Sequence, residues 1–242
     1  MSGHSKWATT KHKKAIIDAK RGKIFTKMAK LVTIAARDGK SGDPSMNPSL
    51  RMAVENAKAV SMPKENIERA IQKGIGGSGG AAIEEIIYEA YAPNGIGLLI
   101  ECLTDNKNRT LGEIKAILNK CNGSLATSGS VSYQFERIGQ IIIDESKNTV
   151  KDDEIEMVII ESGADDLEKD DGIFVVSCSF SSMHQVRKSL EDAGIIIDSA
   201  EFVYSTKNLI ELPEDKKQSI LNIIEKIEDL DDVNAVYSNL SL

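Results

Sequence analysis

Aromatic residues make up only 5% of the 242-residue chain, one Trp, five Tyr and five Phe, so any surface built on stacked rings has to be small and local. Cysteine is scarcer still. Cys102, Cys121 and Cys178 stand singly, with no CxxC pair and no even set of bridges, which argues against a disulfide scaffold or a thiolate zinc site and fits a reducing compartment. Long apolar runs are missing as well: no stretch of about 18 residues could cross a bilayer, and Ile16 and Ile17 are flanked by Lys and Asp where a signal peptide would need an apolar core. No membrane partner is expected, and the expected location is the cytoplasm. The three histidines, His4, His12 and His184, form no metal-spaced pair, and Asp165, Asp166, Asp170 and Asp171 lack the ligand spacing of a calcium loop. No metal, cofactor or small-molecule substrate is expected.

What the chain does have is charge, unevenly placed. Its formal net charge is −7, yet residues 1–40 hold eleven Lys or Arg against two Asp. Residues 1–80 carry sixteen cations and six anions, and residues 81–242 carry fourteen and thirty-one. A basic head on an acidic body points to a polyanion partner met by the head. Lys6, Lys11, Lys13, Lys14, Lys20, Arg21, Lys23 and Lys27 come in a segment of low apolar content that also contains Trp7, the single tryptophan. Such an arm can release counterions from phosphates and stack one ring on an unpaired base, and His12 within it suits phosphate or base contact.

Periodicity organises the rest. Lys23 to Arg37 reads as a helix, with Ile24, Phe25, Met28, Leu31, Val32 and Ala35 on one face. Asn47-Pro48 caps and starts a second helix through Val60. A third runs from Lys64 to Lys73, with Gly74 as its stop. The run Gly74 to Gly80 contains G-x-G-x-x-G but follows a helix and precedes strand-like residues, so it reads as a linker and not as a dinucleotide site. Beyond it come strands at Ile86–Tyr91 and Gly97–Leu103, a helix at Thr110–Cys121 and a strand at Val131–Phe135. Residues 138–205 then read βαββαβ, the split βαβ order of a ferredoxin-like sandwich. A strand at Leu209–Leu212, a helix at Glu214–Glu228 and a strand at Val233–Tyr237 remain to complete the earlier ββαβ.

The expected fold class is therefore α+β: a helical N-terminal domain followed by two α/β ferredoxin-like domains, one inserted into the other. The expected boundaries are residues 1–80 for the basic arm and three-helix domain, 81–137 with 206–242 for one α/β domain, and 138–205 for the inserted one. Thr104, Asp105, Asn106, Asn108, Arg109 and Thr110 form a polar corner where a strand ends and a helix starts. Asp105 or Asn106 as a helix cap with Arg109 as partner accounts for it without chemistry, and Cys102 beside it has no nearby His to make it a nucleophile. No enzyme is expected.

The strings GHSKW, KHKKAIIDAKRGKIFTKMAK, GDPSMNPSLRMAVENAKAVSMPKENIERAIQKG, YEAYAPNGIGLLIECLTDNKNRT and GSVSYQFERIG closely resemble the YebC/PmpR family of transcriptional regulators, which is related to mitochondrial translational activators. The resemblance implies three domains, one α/β domain inserted in the other. It implies contact with nucleic acid through Lys6, Trp7, Lys11, His12, Lys13, Lys14, Lys20, Arg21, Lys23 and Lys27 of the basic strings, and through the MPKENIERA stretch that holds Lys64 and Arg69. Two roles follow from it: a non-enzymatic DNA-binding transcriptional regulator, or a ribosome-associated translation factor that binds ribosomal RNA and relieves stalling at proline-rich stretches.

Overall fold

The computed structural model describes residues 21–76 and 83–241. It is an α+β protein, helices first and two antiparallel sheets after them. The chain divides into two compact units, Met1–Glu136 with Ser205–Leu242, and Arg137–Tyr204.

In the first unit, α1 (Arg21–Asp38), α2 (Pro48–Ala59) and α3 (Lys64–Gly74) pack around Val32, Ala36, Leu50, Val54, Ala57, Met62, Ile67 and Ala70. Asn47 starts α2 as expected: its Oδ1 accepts from Leu50 N at 3.1 Å, and its amide donates to Ala35 O at 2.8 Å, tying the cap to the end of α1. Gly74 is more than a stop. It is still helical, and a Cβ placed on it would lie 2.4 Å from Thr33 O and 2.7 Å from the Ala36 Cβ. The residue lets α3 approach the α1 backbone, where Thr33 Oγ1 also donates to Ala70 O at 3.1 Å.

The first sheet runs β3-β1-β2-β8, built from β1 (Glu84–Tyr91), β2 (Gly97–Thr104), β3 (Ser124–Leu125) and β8 (Val233–Ser238). The connection from β2 through α4 (Lys107–Lys120) to β3 straddles β1, and α7 (Glu214–Glu228) leads into β8 at the other edge. Ile114 and Leu118 of α4 and Ile220, Ile223, Ile224 and Ile227 of α7 cover Leu98, Ile100 and Cys102 on one face. On the opposite face Leu103 and Ile83 meet Leu31 and Ile34 of α1. Helix α1 is thus wedged between the three-helix core and the sheet, which is why apolar residues occur on more than one of its faces.

The second unit orders its strands β5-β6-β4-β7, from β4 (Glu136–Asp144), β5 (Asp166–Asp170), β6 (Ile173–Ser179) and β7 (Ser199–Ser205). Helix α5 (Asp152–Glu161) links β4 to β5 around β6, and α6 (Met183–Asp192) links β6 to β7 around β4. The first sheet lacks this order. Its hairpin comes first and its last strand pairs with β2, so the two sheets are not copies of one topology.

Two expectations about elements fail locally, and one element is additional. Val131–Phe135 is no strand: Ser132–Gln134 form a 3₁₀ turn. The cause is Glu89, buried on β1, whose carboxylate accepts from the amides of Gly129 (2.7 Å), Val131 (2.6 Å) and Ser132 (2.9 Å) and coils the segment around itself. Burial opposes ionisation of Glu89, but these amides outweigh it and hold the carboxyl below its usual range. Leu209–Leu212 contributes only an isolated parallel bridge, Ile210 to Leu240. The two-residue strand β3 was not foreseen, since two residues carry no period.

Replacing Gly74 by Ala should lower stability by about 1–3 kcal/mol through overpacking against α1, read as a drop in the midpoint of a urea melt; an unchanged midpoint would show that α1 and α3 separate at no cost.

Candidate nucleic-acid interface

Helix α1 carries Lys23, Lys27 and Lys30 at a spacing that puts them on one face. That face meets the end of α7. Lys23 Nζ donates to Asp229 O at 2.7 Å, Lys27 Nζ to Glu228 O at 2.9 Å and Lys30 Nζ to Asp231 O at 2.9 Å. The last carbonyls of a helix have no partner within it and carry its negative end, so Lys23 and Lys27 satisfy two of them while Lys30 takes a carbonyl of the turn that follows. Lys23 and Lys27, expected as nucleic-acid contacts, therefore each have a hydrogen-bond partner inside the molecule.

The same stripe ends on a buried carboxylate. Asp232, immediately before β8, receives Lys30 Nζ at 2.8 Å on Oδ1. Its Oδ2 lies 2.5 Å from Arg109 Nη2, 2.8 Å from Thr110 Oγ1 and 3.1 Å from Thr104 Oγ1. Sheet pairing delivers it there: Cys102 is opposite Val233, and Leu103 N donates to Asp232 O at 2.8 Å. Its side chain is 7% exposed. Desolvation alone would favour the neutral acid, but hydrogen bonds from Lys30, Arg109 and Thr110 prevail and hold the carboxyl far below the carboxylate range. The polar corner at residues 104–110 is thus a cap plus one member of an ion network. Asn106 Oδ1 accepts from Arg109 N at 3.1 Å to start α4, and Arg109 bridges Asp105 (2.9 Å) to Asp232. Cys102 is fully buried, and burial pushes its thiol up to about 12, a state unsuited to nucleophilic attack. Among the described residues no three His, Cys, Asp or Glu side chains are placed to share a metal ion.

Beside the network lies a groove of about 540 Å³ between α1, α3 and the end of the sheet. Asn66, Arg69, Ala70 and Lys73 form its α3 wall, and Phe25, Ala29 and Lys30 its α1 wall. Of the residues expected at the interface, Arg69 faces this groove. Lys64 is 89% exposed and lies 3.6 Å from Glu68, one helical turn on. Arg21 opens α1. Lys6, Trp7, Lys11, His12, Lys13, Lys14 and Lys20 lie outside the described residues, as does the glycine-rich run from residue 77. Sequence reasoning missed Lys30, Lys73 and Asp232. The signal for Asp232 was faint: an acid directly before an apolar strand that has to pair beside Thr104 and Arg109.

Two matches cover the chain almost end to end, residues 5–77 to the family described as "TACO1/YebC protein N-terminal domain" and residues 83–240 to that described as "TACO1/YebC second and third domain". The chain belongs to the TACO1/YebC family. Among its relatives in that family, a "Probable transcriptional regulatory protein" of Bifidobacterium longum is 52% identical over 240 residues, 99% of this chain and 94% of the relative. One of the same name from Chloroflexus aggregans is 48% identical over 242 residues, 100% of this chain and 96% of the other. A crystal structure of a conserved hypothetical protein from Aquifex aeolicus is similar with a TM-score of 0.89 at 38% identity, covering 98% of this chain and 96% of that one. The TACO1/YebC boundary between first and second domains falls at residues 77–83, overlapping the end of the glycine-rich run.

Replacing Asp232 by Asn should leave Lys30 without its anion and Arg109 with Asp105 alone, and cost on the order of 3 kcal/mol. The acid dependence should change with it. Because the folded carboxyl sits below its unfolded value of about 3.9, its stabilisation is complete at neutral pH and is lost as pH falls below about 4. Melting curves from pH 7 downward should show a shallower acid decline in the Asn variant; parallel curves would remove Asp232 as the source.

Proposed function

We propose that this protein is a non-enzymatic, nucleic-acid-binding regulator of gene expression that holds DNA through its basic N-terminal domain. The observation that carries the reading is the separation of charge: sixteen cations against six anions in residues 1–80, fourteen against thirty-one in the remainder. A phosphate chain is drawn to the first part and repelled by the second, which fixes the sense of approach as well as its strength. The names of the relatives as transcriptional regulatory proteins support the same reading. Contact falls to the lysines of residues 6–20 with Trp7 and to Arg69 and Lys64 on α3. Lys23 and Lys27 hold α1 against α7, in keeping with their carbonyl partners.

One observation favours a second reading, association with ribosomal RNA in a translation role. Twelve of the sixteen cations in residues 1–80 are lysine, which binds phosphate without reading bases. Two of the four arginines are engaged with backbone carbonyls, Arg37 with Ile83 O and Arg51 with Pro44 O and Ser45 O, both at 3.0 Å for Arg51. A row of Arg, Asn or Gln aimed into a major groove is what promoter reading would want.

Changing Lys11, Lys13 and Lys14 together to Ala should weaken binding to duplex DNA and to RNA alike. For the unaltered chain, log affinity should fall with log salt at a slope set by roughly 5 to 8 phosphates. A salt-independent affinity, or full affinity in the triple variant, would remove the arm as the contact. Crosslinking in cells with sequencing of the recovered strand separates the two roles: promoter DNA for the regulator, ribosomal RNA for the translation factor.

A further inference from the structure

The groove beside Asp232 is unevenly furnished. Lys30, Arg69, Lys73 and Arg109 line it against Asp105 and Asp232. Both acids are taken: Asp105 by Arg109, and Asp232 by Lys30, Arg109 and the two threonines. Arg69 and Lys73 are exposed one turn apart on α3 and have no ion-pair partner among the described residues. Their charge is uncompensated and points at a shared space. The rest of the lining joins the polar Thr26, Thr33 and Asn66 to an apolar wall of Phe25, Ala29, Met62, Ala70 and Ile83. At about 540 Å³ the space is of a size that accepts small molecules.

An anion alone would not need the apolar wall, and an apolar group alone would not need two free cations. A nucleotide needs both. Its phosphate suits a guanidinium and an ammonium side by side, and its unstacked base can lie on an apolar surface containing a ring. We propose that this groove receives one unstacked nucleotide, phosphate on Arg69 and Lys73, base against Phe25, Met62 and Ile83. The assignment rests on the nucleic-acid reading above and adds to it a place where a strand is gripped away from the lysine arm. A duplex keeps its bases stacked inward and cannot fill the apolar half, so the site selects single strands or splayed ends.

The test is a titration of the full chain with three probes: a twelve-nucleotide oligouridylate, the same oligomer with abasic positions, and uridine monophosphate. The unaltered protein should bind the base-bearing oligomer at least about fivefold more tightly than the abasic one. The R69A/K73A variant should lose about tenfold or more in affinity for the oligomer and lower its salt slope by about two. Both side chains are exposed, so its melting curve should match the parent. Uridine monophosphate distinguishes the source: binding that depends on Arg69 and Lys73 supports a site for the isolated nucleotide, and binding of the oligomer alone supports one reached only along a strand. If R69A/K73A keeps affinity and slope while the Lys11, Lys13 and Lys14 variant loses them, the groove assignment falls and the arm reading stands. If the monophosphate binds through Arg69 and Lys73 but no polynucleotide binds, the groove stands and the arm reading falls. Equal affinity for base-bearing and abasic oligomers overturns the base half of the site and with it the proposal.

Discussion

A carboxylate removed from water must be matched donor for donor, and Asp232 is matched from three directions in the chain. Lys30 comes from α1, Thr104 from the end of β2, Arg109 and Thr110 from the start of α4. None of these donors is near Asp232 in sequence, so the network forms only when the helical part and the first sheet are docked in one arrangement. Hydrophobic contact between Leu31, Ile34, Ile83 and Leu103 supplies attraction there; the ionic hub supplies registration, because an ill-placed α1 would leave a buried charge unpaired. The lysine stripe extends the same docking along α7, where it meets carbonyls left open by the helix end.

Much of this architecture was legible in the sequence. The apolar spacing of Val32, Leu50, Val54 and Ile67, the Asn47-Pro48 start and the change of period past the glycine-rich run locate the helices and most strands to within a few residues. What stayed hidden depended on distant partners. Val131–Phe135 alternates like a strand, but Glu89, some forty residues earlier, claims its amides. Lys23 and Lys27 look like phosphate binders because nothing in the local sequence shows that a helix end two hundred residues later lies against them. Gly74 reads as a stop, while its role is to remove a Cβ from a helix crossing. The candidate interface was visible as charge and composition, but the sorting of its cations into structural and unpaired ones was not.

That sorting bears on how a polyanion would be held. Lysines used for docking lower the count available for phosphates, and those remaining cluster in the arm and along α3. The acidic remainder, including the exposed carboxylates of α5, would repel such a partner.

Strand β2 is buried along its whole length, with β1 on one side and β8 on the other. Its two neighbours are of unlike origin. Tyr91 pairs with Gly97 across a tight hairpin, whereas Leu98 waits for Ser238, nearly the whole of the remaining chain later. During synthesis the hairpin can close early, but its apolar edge stays open until Val233–Ser238 has been made, and the intervening unit can fold in the meantime. Completion of the sheet is therefore a long-loop event, and a product lacking Val233–Ser238 would present an unpaired edge to its neighbours.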